Sequence, residues 1–259
     1  MEEKMLYIDS KENNSFKKIK KYRTKKYRDK DKRFLAEGTK FLDFDTVPEY
    51  IIIDEEYSEN REIMKKVEKF EKSEKLVLSQ GLFSQLSSQE NSQGIILVYK
   101  YEEKDIENAR DNVIVLDRVG DPGNLGTIIR TVDAAGFKDI ILTKGSVDCY
   151  NEKVIRSTMG SIFNINLYYT EEEKLLNFLK EKNYKIISTV LSDDCIPYTE
   201  MKPAEKNAVI FGNEGSGIGE NIIKYSHEKV IIPIYGTAES LNVAMACGII
   251  IYKLRELYK

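Results

Sequence analysis

Val113-Ile-Val-Leu-Asp117-Arg-Val-Gly-Asp-Pro-Gly-Asn-Leu-Gly-Thr-Ile-Ile-Arg130 changes its grammar halfway along. Val113 to Asp117 is a short apolar run of the kind that fills a buried strand. Pro122-Gly123 makes a tight turn. Asn124 is then placed to cap a helix that opens at Leu125, with Leu125, Ile128, Ile129 and Val132 as its buried stripe. Arg130 falls off that stripe, toward the helix flank.

The same strand–turn–helix unit recurs to the end of the chain. Strands are expected at Asp139–Thr143, Asn164–Tyr168, Tyr184–Val190, Ala208–Gly212 and Lys229–Pro233. Helices are expected at Glu152–Ser161, Glu171–Lys182 and Leu241–Tyr258. Short apolar runs alternating with helices predict a parallel sheet covered on both faces, an α/β architecture. The last helix is apolar all round from Val243 to Tyr252, so it must be buried in a core or a subunit interface.

The first half is smaller and mixed. Lys17–Asp29 reads as a basic helix with Phe16, Ile19 and Tyr22 on one stripe, and Ser58–Glu71 as a second helix with Ile63, Val67 and Phe70 buried. Strands are expected at Arg33–Gly38, Glu49–Asp54, Lys75–Leu78 and Gly94–Tyr99, with Ser84–Gln93 as a loop. Tyr101 to Asp111 carries seven charged residues among eleven, so the linker is placed there, dividing the chain into domains 1–104 and 105–259.

Composition removes several functions. The chain has 259 residues, 41% apolar and 32% charged, with a formal net charge of −3, an ordinary globular balance. Its longest apolar run falls well short of the roughly 18 residues that a membrane span needs. The start, Met1-Glu-Glu-Lys4, is charged and precedes no apolar stretch, so no secretory signal is expected. Three dispersed cysteines and a single histidine, His227, offer neither a disulfide framework nor a metal-ligand set. The expected setting is the reducing cytoplasm, with no metal. Proton chemistry would have to run through carboxylates, Arg, Ser, Asn or water. Charge is uneven: Lys11 to Arg33 holds 12 basic and 3 acidic residues, a local footprint for an anion such as nucleic acid, or a solvated lysine-rich face.

Three stretches lie at expected strand ends, where open α/β sheets bind ligands. The first is Asp117–Arg130. The second, Phe211-Gly-Asn-Glu-Gly-Ser-Gly-Ile-Gly219, has four glycines that let backbone approach a ligand. Its spacing is neither a dinucleotide fingerprint nor a P-loop, because Ile218 stands where a lysine would be required. The third runs from Ile232 to Ala246, with Ser240 as a candidate cap of the last helix and Asn242 in its first turn. Taken singly, Asn124, Arg130 and Ser240 also read as ordinary cap and surface residues.

Together, in order and spacing, the three resemble the motifs of the SpoU (TrmH-like) RNA 2′-O-ribose methyltransferases of the SPOUT superfamily, over about residues 112–259. Asn124, Gly126 and Arg130 match the first motif, Gly212-Asn-Glu-Gly-Ser-Gly217 the second and Ser240-Leu-Asn242 the third. Val132 stands where Ala is common, and Ala244 where Ser often follows. Phe34-Leu-Ala-Glu-Gly and Gln93-Gly-Ile-Ile resemble the small ribosomal-protein-like RNA-binding domain that often precedes this catalytic domain. The resemblance implies a parallel-sheet methyltransferase domain with a C-terminal trefoil knot, although knots are otherwise nearly absent from proteins. It implies a homodimer with a shared active site and S-adenosylmethionine as cofactor. Thr189, Gly212, Asn213, Gly217, Ile232 and Leu241 would hold the cofactor. Asn124, Arg130, Glu214, Ser240 and Asn242 would form the catalytic set. Glu214 and Asn124 would hold Arg130 against the RNA, and Ser240 and Asn242 would shape the hydroxyl pocket. The implied substrate is ribosomal RNA, with the basic segment gripping phosphates and Tyr22 and Tyr27 stacking on bases. The alternatives are a tRNA 2′-O-methyltransferase and a non-catalytic RNA-binding or assembly protein on the same fold.

Overall fold

The computed structural model describes residues 5–192 and 194–258. The charged start Met1–Lys4, which carries the expectation of no secretory signal, lies outside them. The chain divides into two compact units. One comprises residues 1–102 with 148–163, the other 103–147 with 164–259.

The first unit runs β1 (Leu6–Ile8), α1 (Asn14–Lys21), α2 (Lys25–Asp31), β2 (Arg33–Glu37), β3 (Tyr50–Asp54), α3 (Arg61–Val67), β4 (Glu74–Leu78), α4 (Gln80–Leu86) and β5 (Ile95–Lys100). The sheet order is β1-β4-β3-β5-β2, parallel from β1 through β3 and antiparallel at β5 and β2. The expected single basic helix is two short ones. Asn13 caps α1 by accepting from the amides of Ser15 and Phe16, and the chain breaks at Tyr22. Phe16, Ile19 and Tyr22 are buried against Ile52 and Phe83, so the apolar stripe faces the core. Tyr22 is wholly buried, and Tyr27 is half-buried with Lys21 Nζ 5.6 Å from its ring centroid. The expected base stacking by Tyr22 is therefore excluded, because its ring is spent on the core. The Ser/Gln stretch read as a loop from Ser84 begins instead as the last turn of α4, whose Leu82, Phe83 and Leu86 are buried, and is non-helical from Ser87 on. Residues 148–163 belong to this unit through Arg28 Nη2 on Asp148 (2.6 Å) and Tyr150 stacked on Phe34 and Tyr101.

The second unit follows the expected alternation. β6 (Val113–Leu116), α5 (Pro122–Ala134) and β7 (Asp139–Thr143) precede α6 (Glu152–Thr158), whose residues cluster with the first unit. Then come β8 (Asn166–Thr170), α7 (Glu172–Glu181), β9 (Lys185–Thr189), β10 (Ile196–Pro197), β11 (Asn207–Phe211), α8 (Glu220–Lys224), β12 (Glu228–Ile231) and α9 (Val243–Leu257). All neighbours in the sheet β10-β12-β9-β11-β6-β7-β8 pair in parallel. Every residue of β6, β7 and β11 is buried, as continuous apolar strands covered on both faces require. On one face Leu175, Phe178 and Leu179 of α7 pack on Val113, Val115, Ile141 and Ile210. Elsewhere α5 packs on α9, and α9 reaches β11.

Both helix starts differ from expectation, and the differences matter. α5 opens at Pro122, with Asp121 as its cap, accepting from the Asn124 amide (2.8 Å). Proline fits the first helical position, where its missing donor costs nothing. Asn124 is therefore inside the first turn, its side chain released from capping. α9 opens at Val243, capped by Asn242 rather than Ser240. α9 is also not buried all round. Ala244, Cys247, Ile250, Ile251 and Leu254 face inward, whereas Met245 and Tyr252 are 61% and 48% exposed. No described helix is long and apolar enough to cross a membrane.

Candidate active site

A cavity of about 560 Å³ opens at the carboxyl ends of β9, β11 and β12 in the second unit. That is the position the parallel sheet dictates and a size typical of small-molecule sites. Thr189, Gly212, Asn213, Gly217, Ile232 and Leu241 all line it, as do Glu214, Ser240 and Asn242. Leu191, Ile234 and Ala246 complete its apolar wall and went unremarked in the sequence. Thr189 comes from the resemblance; Leu191, just past the end of the expected strand Tyr184–Val190, falls where the strand-end rule places ligand contacts.

The glycine loop folds back on itself. Asn213 N donates to Gly217 O (3.1 Å) and Gly217 N to Asn213 O (2.9 Å). The Asn213 side-chain oxygen accepts from the amides of Gly215 and Ser216 (2.9 Å each). Gly217 has φ +66°, a left-handed value that suits glycine. A Cβ on Gly212 would lie 2.3 Å from the carbonyl carbon of Gly217 and 2.4 Å from the amide nitrogen of Ile218. Only hydrogen fits there, because both neighbours are backbone.

At the rim, three residues far apart in sequence form one directed chain. Asn242 Oδ1 accepts from the amides of Ala244 (2.9 Å) and Met245 (3.4 Å) at the start of α9. Asn242 Nδ2 donates to Asn124 Oδ1 (2.8 Å), and Asn124 Nδ2 donates to Glu214 Oε1 (2.8 Å). The amide of Gly120 donates to Glu214 Oε2 (3.3 Å). Partial burial pushes the Glu214 carboxyl upward. Hydrogen bonds from Asn124 and from the backbone at Glu214, Gly120 and Asp121 outweigh it and hold the group below its ordinary value. Glu214 is thus an anion at neutral pH, and every donor along the chain points toward it. Because each amide uses both its oxygen and its nitrogen, Asn124 and Asn242 have one productive orientation each. The Gly120 and Asp121 amides are part of the site that side-chain reading does not reach.

Ser240 lies at the cavity, exposed. Arg130 stands apart. It is exposed on α5, about 9 Å along the helix from Asn124. Among the described residues it has no hydrogen bond or ion pair within the chain, and it does not line the cavity. The expected clasp of Arg130 by Glu214 and Asn124 is not made in one copy, since both partners are engaged with each other. Among the described residues, no group of three or more His, Cys, Asp or Glu is arranged to hold a metal.

Comparison with known proteins agrees with this architecture. Residues 111–252 match the SpoU rRNA methylase family and residues 13–97 the MRM3-like substrate binding domain. The 23S rRNA (guanosine(2553)-2′-O)-methyltransferase RlmP of Bacillus subtilis is 36% identical over 255 residues, 97% of this chain and all of that protein. The tRNA (guanosine(18)-2′-O)-methyltransferase of Aquifex aeolicus is 31% identical, over 57% of this chain and 70% of that one. The AdoMet-bound rRNA methyltransferase from Sinorhizobium meliloti superposes with TM-score 0.86 at 26% identity, covering 98% of this chain and 99% of that one. Three strand-end motifs closing one cavity, with a 36%-identical relative matched over 97% of the chain, place it in a family: this chain belongs to the SpoU rRNA methylases.

Proposed function

We propose that this chain transfers a methyl group from S-adenosylmethionine to a ribose 2′-hydroxyl of ribosomal RNA. The observation that carries the reading is the Asn242–Asn124–Glu214 chain at the rim of the strand-end cavity. It ties all three motif loops to one point, more than capping or turn formation needs.

The cavity suits the cofactor. Leu191, Ile232, Ile234 and Leu241 offer an apolar wall for a purine and a methyl group. Gly212 and Gly217 expose backbone groups for close approach. The Glu214 anion favours a cationic sulfonium nearby. Bound there, S-adenosylmethionine supplies an electrophilic methyl group. The chain's own residues must orient the RNA hydroxyl in line and stabilise its oxygen as its proton passes to solvent water. Arg130 serves the second task. A guanidinium keeps its proton at any physiological pH, so it acts as a bidentate phosphate and alkoxide partner, not as a base. Ser240 and Asn242 shape the hydroxyl pocket.

Among the described residues Arg130 has no partner in its own chain, and α9 leaves Met245 and Tyr252 uncovered. Both features support a homodimer in which Arg130 completes the cavity of the other copy. The close packing of Gly212 on Gly217 and the meeting of the glycine loop with the 232–242 segment at one cavity suit a C-terminal trefoil knot.

The first unit is the substrate-binding domain. Of its basic segment, Arg28, Arg33 and Lys18 are spent on Asp148 and Glu49. Lys20, Lys21, Lys26 and Lys30 stay exposed and grip phosphates. The reading also puts the protein in the cytoplasm, with its RNA. The test is mass mapping of 2′-O-methyl sites in total RNA with and without the gene. Loss of a site in ribosomal RNA is expected. Loss in transfer RNA alone moves the substrate, and no loss anywhere overturns the enzyme reading.

A further inference from the structure

The glycine loop that walls the cofactor cavity is fastened from behind by residues that do not reach the cavity. Asp117 follows β6 and is 1% exposed. Its amide donates to Phe211 O (2.8 Å), carrying the β6–β11 pairing one residue further, up to the start of the loop. Its carboxylate is fully engaged. Oδ1 accepts from Thr143 Oγ1 (2.7 Å), and Oδ2 accepts from the amide of Gly219 (2.8 Å) and from Arg118 Nη2 (2.8 Å).

Arg118 completes the fastening. Its backbone is in the left-handed region, φ +56°, and its amide donates to Thr143 Oγ1 (3.0 Å). That turn presents its carbonyl to Asn213 Nδ2 (2.8 Å), while Nη2 also donates to Gly217 O (3.3 Å). The loop is therefore held at Asn213, Gly217 and Gly219 by two consecutive residues of another motif. Asn213 sets the loop's internal turn, and Gly217 lines the cavity.

A surface turn does not need a buried carboxylate shared among a hydroxyl, a guanidinium and an amide. Burying that charge is costly unless each acceptor site is used, as here. What the arrangement adds is a preformed loop, so the cofactor need not pay for ordering it on binding.

We propose that Asp117 and Arg118 are a positioning pair that sets cofactor affinity by holding the glycine loop in its binding shape, acting through Asn213, Gly217 and Gly219 without touching the cofactor. The proposal rests on the methyltransferase reading of the cavity and assigns to these two residues a role distinct from that of Arg130.

Two variants test it. Asp117→Asn keeps the volume but brings an NH₂ group where only acceptors are wanted. Arg118→Ala removes the guanidinium and leaves the left-handed backbone equally demanding for both residues. S-adenosylmethionine and S-adenosylhomocysteine binding are measured by calorimetry, RNA binding by filter retention, and single-turnover methylation at saturating cofactor. The expected result is a rise of about tenfold in the cofactor Kd for each variant. RNA affinity and the saturated rate should stay within twofold of wild type. A purely structural role would lower the melting temperature without this split. If Asp117→Asn does not fold, Arg118→Ala decides alone. Cofactor Kd values within twofold of wild type overturn the proposal, as does a fall in the saturated rate at unchanged cofactor affinity. Failure of the wild-type protein to bind either probe would sink the methyltransferase reading as well, which separates the two failures.

Discussion

Replacing Asn124 with Asp tests the rim chain at its centre. The Asn124 Nδ2 that donates to Glu214 over 2.8 Å becomes an oxygen facing an oxygen. A hydrogen bond to a charged acceptor is worth about 1.5–3 kcal/mol, and that is lost. Like-charge repulsion is added. At about 4 Å it would reach roughly 4 kcal/mol in a partly buried site, but Glu214 is solvent-exposed, so about 1 kcal/mol is the fitting figure. The sum is near 3 kcal/mol, or about a hundredfold in rate if the chain forms only in the active arrangement. The pH dependence supplies the sharper test. In the wild type, the lowered pKa of Glu214 means its contribution is complete above the ordinary glutamate range, about 4.3, and lost only as pH falls through its still lower folded value. The wild-type deficit on acidification should thus begin below about pH 4–5, where RNA assays are seldom run. In Asn124→Asp the two carboxylates raise each other's affinity for a proton, and one shared proton restores a donor between them. A repulsion of about 1 kcal/mol raises a carboxyl by less than one unit above its ordinary value of about 4.3, so single-turnover methylation should recover toward wild type as pH drops from about 6 to about 5, against a flat ratio for Asn124→Ala. A pH-independent deficit in Asn124→Asp, or none, would refute the coupling of these loops through one anion.

Gly212→Ala forces a methyl group against Gly217 and Ile218 backbone, so cofactor binding should weaken more than tenfold in calorimetry and stability fall by about 2–4 kcal/mol in denaturant titration. Arg130→Ala should leave stability within about 0.5 kcal/mol, because the exposed side chain has no partner among the described residues of its chain, while single-turnover methylation drops at least a hundredfold. Met245→Asp with Tyr252→Asp should yield monomers in sedimentation that bind RNA but do not methylate it; full activity from such monomers would remove the shared site. Reversing Lys21, Lys26 and Lys30 to Glu should weaken RNA binding and flatten its dependence on log salt, each lost phosphate contact taking roughly 0.7–0.9 from the slope, with cofactor affinity unchanged.

The strands were legible because burial on both faces leaves no room for polar alternation. β6, β7 and β11 read as continuous apolar runs and sit where expected to within a residue or two. Helix starts were less legible. Asn124 and Ser240 are good capping residues, yet Asp121 before Pro122 outcompetes the first, and Asn242 directly before Val243 displaces the second. α4 hid behind its Ser and Gln content although Leu82, Phe83 and Leu86 carry a helical stripe. The placing of 148–163 with the first unit rests on Asp148 and Tyr150, whose partners Arg28 and Phe34 lie more than a hundred residues away and leave no local pattern.

The site itself could be seen only through resemblance, for a similar physical cause. Asn124, Glu214 and Asn242 are 90 and 118 residues from their partners, and no periodicity links them. What brings them together is the parallel sheet, which delivers successive loops to the same edge whatever their spacing in sequence. The two helix-start differences then acquire a function. Had Asn124 capped α5, its oxygen would be turned to the first amides of the helix and shared with them rather than aimed at Asn242. With Asp121 doing that work, both ends of the Asn124 amide are free for the neighbouring loops. Asn242, by contrast, does cap its helix, so its orientation is fixed by the first amides of α9 and its NH₂ is aimed outward. One amide is released and the other locked. That asymmetry gives the chain its direction toward Glu214, and it accounts for why neither asparagine should tolerate aspartate even though aspartate caps helices equally well.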